Sequence, residues 1–219
     1  MNTTYDSQFS LTSLDYLKKI DFINWYRYFH LFQDLLKIAP KSVLEIGAGE
    51  GTLKRITSTI IPEHKVLDVN TRLNPDFLGD VRFPISELCD SFECLIAADV
   101  LEHIPFADLS TAIRNLASYC KKGGYLLITI PHRRSHFLWM TPNQIPHVFT
   151  VPTGFLSLGG FYRRFIQRKI WIDPHHCWEI GDGNVRQEDV TKIFKQAGLN
   201  TISLSKLLYV DYWVLQKPC

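Results

Sequence analysis

Three glycines at alternate positions follow a short apolar run that contains an acid. The run is Val43-Leu44-Glu45-Ile46, and Gly47, Gly49 and Gly51 come next, ahead of a helix-forming segment. Glycine permits a positive φ and lets a ligand approach the backbone with no Cβ in the way. A strand, a tight turn and a helix at the carboxyl end of a parallel sheet form the crevice in which open α/β folds bind nucleotides. The stretch therefore predicts a site for a nucleotide-like ligand.

The spacing of the glycines narrows the class of ligand. A dinucleotide-binding loop needs G-x-G-x-x-G and would have its third glycine where Thr52 stands. The Gly-Lys-Ser/Thr ending of a phosphate-binding loop is also missing. Asp68, at the end of the next apolar run, lies seventeen residues after Gly51. An acid in that position can accept hydrogen bonds from both hydroxyls of a ribose. A ligand with a ribose but no pyrophosphate fits this pattern best.

The elements that must position these residues alternate between strands and helices. Apolar residues at three- and four-residue spacings predict a helix over residues 14–38. Short apolar runs predict five strands, at residues 42–46, 65–69, 76–80, 92–98 and 125–130. Alternation of this kind predicts a mostly parallel sheet with helices on both faces.

The last third of the chain departs from this rhythm. Residues 131–183 are rich in proline and glycine and predict an excursion above the sheet, partly helical around residues 161–170. Asn184 is the expected N-cap of a final helix. Residues 201–206 and 209–216 predict two closing strands, which should pair antiparallel because no helix lies between them.

Composition excludes several classes of protein. The net charge of +2 is too small to indicate a nucleic-acid-binding protein. The five cysteines are odd in number and show no C-x-x-C spacing, which predicts free thiols in a reducing compartment. The polar start of the chain shows no signal peptide, and no apolar run reaches the length of about 18 residues needed to span a bilayer. We therefore expect a cytoplasmic protein.

These stretches resemble the motifs of the class I S-adenosylmethionine-dependent methyltransferases. Residues 45–51 resemble the first motif of the family, and Asp68 stands where its ribose-binding acid lies. Residues 79–84 resemble the segment after its third strand. The resemblance implies that Asp80 contacts the adenine amino group and that the backbone amide of Val81 contacts the ring.

The same resemblance extends to the fourth strand and to the fold. Residues 92–104 are similar to the fourth-strand motif, at whose end Ala97, Ala98 and Asp99 would line the methionine part of the cofactor. The implied fold is an α/β, Rossmann-like, doubly wound domain with a mostly parallel seven-stranded sheet and an antiparallel C-terminal strand. The implied cofactor is S-adenosyl-L-methionine. Its predicted site comprises Glu45, Gly47, Gly49, Gly51, Asp68, Asp80, Val81, Ala97, Ala98 and Asp99.

Plainer interpretations of four of these residues stay open. Glu45 could satisfy backbone amides near the glycine turn as well as help hold the amino group of the cofactor. Asp80 could be a turn residue, and Glu102 and His103 could only shape the turn after the fourth strand.

Residues 131–172 carry the information on the methyl acceptor. They contain arginines and a lysine but no Asp or Glu, with aromatic residues between the basic ones. Such a segment can meet an anionic substrate or an anionic membrane surface. The alternative is a cap whose aromatic side chains pack inward while its arginines are solvated. The basic residues are Arg133, Arg134, Arg163, Arg164, Arg168 and Lys169.

Two histidines are the candidates for a general base or for contact with the acceptor. His132 directly follows the predicted fifth strand and should lie at the rim of the crevice. His176 belongs to the sequence His175-His176-Cys177, which precedes the last helix. Adjacent histidines point in different directions on an extended chain, and no second pair has zinc-like spacing, so we expect no metal site.

Residues 1–219 are accordingly predicted to form a single methyltransferase domain. Residues 1–40 would form an N-terminal helical cap segment, and residues 131–183 an insertion over the acceptor site. The expected reaction is methyl transfer to a small or carrier-linked metabolite, at a hydroxyl oxygen. An anionic acceptor fits the basic segment; no nucleic-acid partner is expected, and contact with a membrane surface stays open.

Three other functions remain as rivals at this stage. The missing third glycine argues against a nicotinamide-dependent oxidoreductase on the same scaffold. Asp68 and Asp80 argue against an inactive, methyltransferase-like binding module. An RNA or protein methyltransferase is disfavoured because the fourth-strand motif lacks an Asn/Asp-Pro-Pro-aromatic signature, although this absence does not exclude one.

Overall fold

The structure is a computed structural model that describes residues 11–18, 21–132, 134–143, 146–152, 158–167, 172–183 and 185–219. Its strands are β1 (Ser42–Ile46), β2 (Glu63–Asp68), β3 (Phe77–Leu78), β4 (Phe92–Ala98), β5 (Cys120–Pro131), β6 (Arg134–Met140), β7 (Pro146–Pro152), β8 (Asn200–Lys206) and β9 (Val210–Gln216). Its α-helices are α1 (Ser13–Leu17), α2 (Phe22–Ile38), α3 (Thr52–Thr57), α4 (Leu109–Tyr119), α5 (Leu158–Phe161) and α6 (Gln187–Gln196).

Seven of the strands form one sheet in the order β3-β2-β1-β4-β5-β9-β8. The first five strands of this order run parallel, and β9 pairs antiparallel with both β5 and β8. Every residue of β1 is buried, which is typical of a parallel strand with helices on both faces. The predicted fold class is confirmed, including the antiparallel strand at the end of the chain.

Two apolar cores cover the two faces of the sheet. Because successive side chains of a strand point to opposite faces, Leu44 belongs to the core under α4 and α6, and Val43 to the core under α2. The ring of Trp213 is fully buried on the first face and meets Phe194 edge to face, with ring centroids 5.4 Å apart.

The N-terminal helical stretch differs from the single helix predicted over residues 14–38. It forms two helices, α1 and α2, and the second has its own N-cap. The side chain of Asp21 accepts a hydrogen bond from the amide of Asn24 at 3.0 Å, which satisfies one of the free donors at a helix start.

The excursion over residues 131–183 contains a hairpin that the sequence did not predict. Strands β6 and β7 pair antiparallel in a two-stranded sheet of their own. Within the described residues, the predicted helical part consists of α5 followed by a π-helical turn, Tyr162–Ile166. Arg133, the segment 168–171 and the predicted cap Asn184 lie outside the described residues, as does the side chain of Arg164. The observed N-cap of α6 is Arg186.

The cysteines and the lengths of the helices bear on two of the predictions made from composition. All five cysteines are free thiols, and Cys94 and Cys120 are buried. Among the residues described, no helix combines the length and the apolar character needed to cross a membrane.

Strand β5 begins five residues earlier than predicted, at Cys120 directly after α4. Gly124 makes this close passage possible. A Cβ atom built on Gly124 would lie 2.7 Å from the carbonyl oxygen of Glu93 and 2.8 Å from the sulfur of Cys120. Backbone atoms cannot move aside cheaply, so glycine is required here.

We predict that Gly124→Ala lowers the free energy of unfolding by about 1 to 3 kcal/mol, the usual cost of forcing extra atoms into a packed site. Urea denaturation followed by circular dichroism measures this. Gly159→Ala is the control, because no atom lies within 4 Å of its added Cβ. Equal stability of the two variants would contradict the packing argument.

A buried carboxyl group lies at the start of β9. Asp211 is 2% exposed and accepts a hydrogen bond from the side-chain amide of Gln187 at 2.7 Å. Burial raises the pKa of Asp211 to about 6, although that hydrogen bond opposes the shift. The folded chain therefore binds more protons than the unfolded chain between about pH 4 and pH 6, so this group's contribution to stability falls as the pH rises through that window.

The free energy of unfolding of Asp211→Asn should therefore rise relative to that of the unchanged protein as the pH increases from about 4 to 6. Above about pH 6 the gain should amount to roughly 2 to 3 kcal/mol. Urea denaturation at a series of pH values measures the difference. Asp189→Asn is the control. A hydrogen bond from Arg186 lowers the pKa of Asp189, so this variant should show no such slope between pH 4 and 6. A flat difference for Asp211→Asn would disprove the assignment.

Candidate functional site

A cavity of about 620 Å³ opens at the carboxyl ends of the parallel strands. The turns after β1, β2, β3 and β4, the end of β5 and the N-terminal helices all contribute to its wall. Its location fits the rule that open α/β sheets bind ligands outside the carboxyl ends of their strands. The lining includes Tyr16, Arg27, Tyr28, Glu45, Gly47, Gly49, Glu50, Asp68, Asp80, Val81, Ala98, Asp99, Glu102, His103, His132, Asp173, His176 and Tyr209.

The glycine turn shapes the floor of this cavity. Gly47, Gly49 and Gly51 have φ values of 82°, 49° and 74°, all in the left-handed region. A Cβ atom on Gly47 would lie 2.7 Å from a methyl carbon of Val100, so both its conformation and its surroundings require glycine. Gly51 does not line the cavity and instead precedes α3 as its N-cap.

Asp68 lies beside the glycine turn, at the end of β2. One carboxylate oxygen accepts the amide hydrogen of Ala48 at 2.6 Å, and the other accepts that of Asn70 at 2.7 Å. An ionised carboxylate has about four lone-pair sites, so two backbone bonds leave acceptor capacity for a ligand. These bonds fix the carboxylate where the predicted ribose would be.

The carboxyl group of Glu45 is buried beneath the turn. Its Oε2 lies 3.1 Å from Nε2 of His64, whose Nδ1 lies 2.6 Å from the hydroxyl of Thr57. Burial raises the pKa of Glu45, and the hydrogen bond from His64 opposes that shift. This side-chain network, rather than the backbone amides of the turn, accounts for the position of Glu45.

Asp80 and Val81 line the cavity after β3. The carboxylate of Asp80 pairs with the guanidinium of Arg82, with one oxygen 2.9 Å from Nε and 2.6 Å from NH2. It also accepts the backbone amide hydrogen of Arg82 at 2.9 Å, a turn contact of the kind that the plainer interpretation expects. The carbonyl of Val81 is held by the side-chain amide of Asn115 at 2.8 Å.

Three residues at the end of β4 were predicted to line the cofactor site, and two of them lie in the wall of the cavity. Ala98 and Asp99 line the cavity, whereas Ala97 is 2% exposed and packs in the core behind it. Asp99 has a φ of 56°, an uncommon value for a residue with a side chain. The hydroxyl of Thr129 donates to its Oδ1 at 2.6 Å, and this bond fixes the carboxylate.

Arg27 of α2 is the main residue of this wall that the sequence reasoning missed. Its guanidinium forms an ion pair with Asp99 and lies 2.9 Å from the hydroxyl of Tyr209, which itself donates to Asp99. The side chain of Arg27 is 9% exposed. Burial lowers the pKa of Arg27, but Asp99, Tyr209 and Tyr28 together outweigh burial and raise that pKa above its ordinary value.

A second contact from α2 reaches the glycine turn. The hydroxyl of Tyr28 donates a hydrogen bond to Glu50, and both residues are buried and line the cavity. Helix α2 thus contributes to the cavity wall at two points, near β4 and near the glycine turn. A signal for this was present in the sequence, because Arg27 is a lone cation among the aromatic residues of an apolar helix.

His132 lies at the end of β5, as predicted, but deeper than a rim position. Its side chain is 1% exposed, and Nε2 lies 3.3 Å from the carbonyl oxygen of Leu207 and 4.0 Å from a carboxylate oxygen of Asp211. Burial lowers the pKa of His132 to about 4, although the hydrogen bond to Leu207 opposes this shift. The ring is therefore neutral at physiological pH.

His176 lies on the same side of the cavity, in a cluster with Glu102 and His103. Atoms able to bind a metal, one from each of the three residues, lie within 4.8 Å of one another. Burial raises the pKa of Glu102, and the nearby Asp99 carboxylate adds to the rise. Burial also lowers the pKa of His103 to about 4, with the neighbouring His176 as the second cause.

In the sequence, His175 and His176 form a pair that nothing connects with Glu102 and His103. His103 and His176 are 73 residues apart, so no local spacing relates them. The two segments meet because the backbone amide of Cys177 donates to the carbonyl of Glu102 at 2.8 Å. The ring of Trp178 also packs against Phe106.

Comparisons with known proteins agree with this architecture. A family model described as a methyltransferase domain matches residues 18–204. No curated protein sequence matches the chain. Among solved structures, the N-methyltransferase NodS from Bradyrhizobium japonicum WM9 with S-adenosyl-L-homocysteine is similar, at a TM-score of 0.64 and 14% identity over 100% of this chain and 98% of that one.

Two further solved structures have the same fold. The DhpI complex with S-adenosylhomocysteine has a TM-score of 0.59 and 12% identity, over 98% of this chain and 97% of that one. The 1,6-didemethyltoxoflavin-N1-methyltransferase of Burkholderia thailandensis has a TM-score of 0.52 and 11% identity, over 88% and 77%. Identities this low establish the fold alone, but the family model spans most of the 219 residues. The chain therefore belongs to the methyltransferase-domain family, in the class I S-adenosylmethionine-dependent group that its motifs resemble.

Proposed function

We propose that this chain transfers the methyl group of S-adenosylmethionine to a hydroxyl oxygen of a small or carrier-linked metabolite. One observation carries the proposal: a single cavity joins the glycine turn and Asp68 at one end to His132 and His176 at the other. NodS and DhpI were solved with S-adenosylhomocysteine, and the toxoflavin enzyme was solved with that product and its small-molecule acceptor. These relatives support a small acceptor without identifying it.

The residues present fit this cofactor. The cavity volume of about 620 Å³ lies within the range of about 300 to 1,000 Å³ that is common for ligand pockets. Gly47 and Gly49 leave the backbone open to a ligand, and Asp68 offers a fixed carboxylate to the ribose hydroxyls. S-adenosylmethionine, when bound, supplies an electrophilic methyl group on a positively charged sulfur.

The charge of the lining also favours a cationic ligand over a pyrophosphate. Eight of the described residues that line the cavity carry a carboxyl group, and one, Arg27, carries a guanidinium. Walls of one sign attract ligands of the opposite sign and repel those of the same sign. A sulfonium suits such a wall, whereas the pyrophosphate of a nicotinamide cofactor does not. The eight carboxyl groups belong to Asp21, Glu45, Glu50, Asp68, Asp80, Asp99, Glu102 and Asp173.

We assign the two ends of the cavity to the two substrates, and the order of the strands supports this assignment. Asp68 and Asp80 follow β2 and β3, on one side of β1, so we assign that side to the nucleoside of the cofactor. His176 and His132 lie on the side of β4 and β5, which leaves that end to the acceptor. Holding both reactants in one cavity, aligned for attack, supplies much of the rate of an in-line displacement.

Of the two histidines, His176 is better placed to act on the acceptor. Its Nδ1 lies 2.6 Å from a carboxylate oxygen of Glu179, so Nε2 is the nitrogen left to act on a ligand. Its side chain is 15% exposed, compared with 1% for His132. We therefore assign His176 to the reacting hydroxyl and His132 to the wall beside it.

Removing the Asp68 charge should weaken the cofactor site selectively. Asp68→Asn is expected to raise the dissociation constant for S-adenosylhomocysteine about 10- to 100-fold, since hydrogen bonds to a charged group are worth about 1.5 to 3 kcal/mol. Isothermal titration calorimetry measures this. The control is Asp76→Asn, because Asp76 pairs with Lys54 and Lys65 and does not line the cavity. Equal affinities in the two variants would rule out the assigned role.

The outer surface of the excursion suggests how the acceptor is presented to the enzyme. The aromatic side chains of the hairpin do not pack inward: Phe137, Trp139 and Phe149 are 49%, 70% and 65% exposed. No acid lies between residues 131 and 172, and the side chain of Arg163 is exposed on this segment. Exposed aromatics beside basic residues suit the surface of an anionic membrane. We propose that this hairpin contacts such a surface, where a lipid-linked acceptor would be presented.

The double variant Trp139→Ala/Phe149→Ala should bind vesicles of mixed anionic and neutral phospholipid at least about tenfold more weakly. Burying each aromatic side chain is worth about 1.5 to 3 kcal/mol, which sets this expectation. Co-sedimentation with the vesicles measures binding. Phe83→Ala is the control, because Phe83 is 66% exposed but lies near β3. Absence of vesicle binding by the unchanged protein would refute the membrane contact and leave the methyl transfer unaffected.

A further inference from the structure

Glu102 is a buried acid that the cofactor site does not account for. Its side chain has no exposed surface, and neither carboxyl oxygen has a hydrogen-bond partner among the described residues. Burying a carboxylate without a partner is costly, so such groups in proteins are paired or bind a cation. Glu102 also belongs to the wall of the cavity.

Two histidines, His103 and His176, lie next to this carboxyl group, and Nδ1 of each already has an oxygen partner. Nδ1 of His176 lies 2.6 Å from Oε1 of Glu179, and Nδ1 of His103 lies 3.0 Å from the carbonyl oxygen of His175. An oxygen acceptor at Nδ1 holds the hydrogen there and leaves the lone pair on Nε2. Histidines that bind metals almost always donate their other ring N–H to a carboxylate or a carbonyl in this way.

The three side chains are close enough to share one ion. One donor atom from each lies within 4.8 Å of the others, and Nε2 of His176 is 3.9 Å from Oε1 of Glu102. A carboxylate and two imidazoles form a ligand set that binds zinc with a position left open for water or substrate. Because all three residues line the cavity, that open position faces the space assigned to the acceptor.

We propose that Glu102, His103 and His176 bind a divalent cation of the Zn²⁺ or Mn²⁺ type at the acceptor end of the cavity, where it takes the acceptor hydroxyl as a further ligand. The cation site stands on the contacts above, and its part in methyl transfer rests on the proposed function. The proposed cation limits the range of possible acceptors to molecules whose reacting oxygen can bind a metal ion. It also explains how His176 acts on the hydroxyl, since its Nε2 would bind the cation.

The chemistry balances without a further reagent. A hydroxyl bound to a cation is more acidic than a free one, so its proton leaves to water. The oxygen then forms a bond to the methyl carbon as the bond between that carbon and the sulfur breaks, and the electron pair of the broken bond stays on the sulfur. The products are a methyl ether, a neutral thioether and one proton.

Titration with MnCl₂, followed by electron paramagnetic resonance of the free ion, tests the site directly. Mn²⁺ is preferred as the probe because Cys177, next to His176, is an exposed thiol that would attract a softer metal. The unchanged protein should bind one Mn²⁺ per chain, and ZnCl₂ should displace it. Glu102→Gln and His176→Ala should each weaken Mn²⁺ binding at least about 100-fold, since the loss of a mere supporting residue already costs about 10- to 100-fold.

Two variants separate the metal site from general damage to the fold. His175→Ala is the matched control, because the adjacent histidine does not line the cavity and its backbone carbonyl is retained. It should bind Mn²⁺ as the unchanged protein does. Glu179→Gln, which alters the group that positions His176, should weaken binding about 10-fold. Calorimetry with S-adenosylhomocysteine checks that Glu102→Gln and His176→Ala keep the cofactor site.

The inference is overturned if the unchanged protein binds no Mn²⁺ or Zn²⁺ at millimolar concentration. It is also overturned if Glu102→Gln and His176→Ala bind the ion as tightly as His175→Ala does. Neither result affects the proposed methyl transfer, which fails instead if the protein does not bind S-adenosylhomocysteine. The two claims can therefore fail separately.

Discussion

The largely buried ion pair between Arg27 and Asp99 is the contact by which helix α2 forms a wall of the cavity. It joins the N-terminal helix α2 to the end of β4, across 72 residues of sequence. Tyr209 and Thr129 also donate hydrogen bonds to Asp99, so its carboxylate has three side-chain partners when Arg27 is included. Removing one partner of such a pair costs about 3 to 5 kcal/mol because the other charge stays buried alone.

Because of this pair, the cavity has a wall on the side away from the sheet. The strands alone would provide an open shelf at the carboxyl ends of β1 and β4, where the order of the sheet reverses and ligands bind in open α/β folds. Helix α2 covers that shelf through Arg27 near β4 and Tyr28 near the glycine turn. A covered site excludes water and strengthens the electrostatic contacts inside it, which suits a reaction between a sulfonium and a weak nucleophile.

Local patterns in the sequence were enough to predict the sheet and the cofactor end of the site. Strand β1 reads as a buried strand because both of its faces are covered, and the left-handed φ values of the turn after it demand glycine. Asp68 follows from its place at the end of the next strand. Each of these features is set within a few residues, so a single sequence is sufficient to find it.

The acceptor end could not be predicted in the same way, because its residues meet only in the folded chain. Arg27 and Asp99, or His103 and His176, come from distant segments whose contact no periodicity encodes. The hairpin of β6 and β7 was also missed, since prolines at residues 142 and 146 favoured an irregular segment and the apolar residues at 137–140 are consecutive instead of alternating with polar ones. The early start of β5 depends on the space beside Gly124, which sequence alone does not reveal.

The central claim is that the cavity is built for the adenosyl cofactor of a methyltransferase and not for a pyrophosphate cofactor. Parallel calorimetric titrations of the purified chain with S-adenosylhomocysteine and with NAD⁺ test it most directly, since the first keeps the nucleoside and the second adds the pyrophosphate. The account predicts binding of S-adenosylhomocysteine at one site per chain and no heat of binding with NAD⁺. Binding of NAD⁺, or no binding of S-adenosylhomocysteine at millimolar concentration, would contradict it.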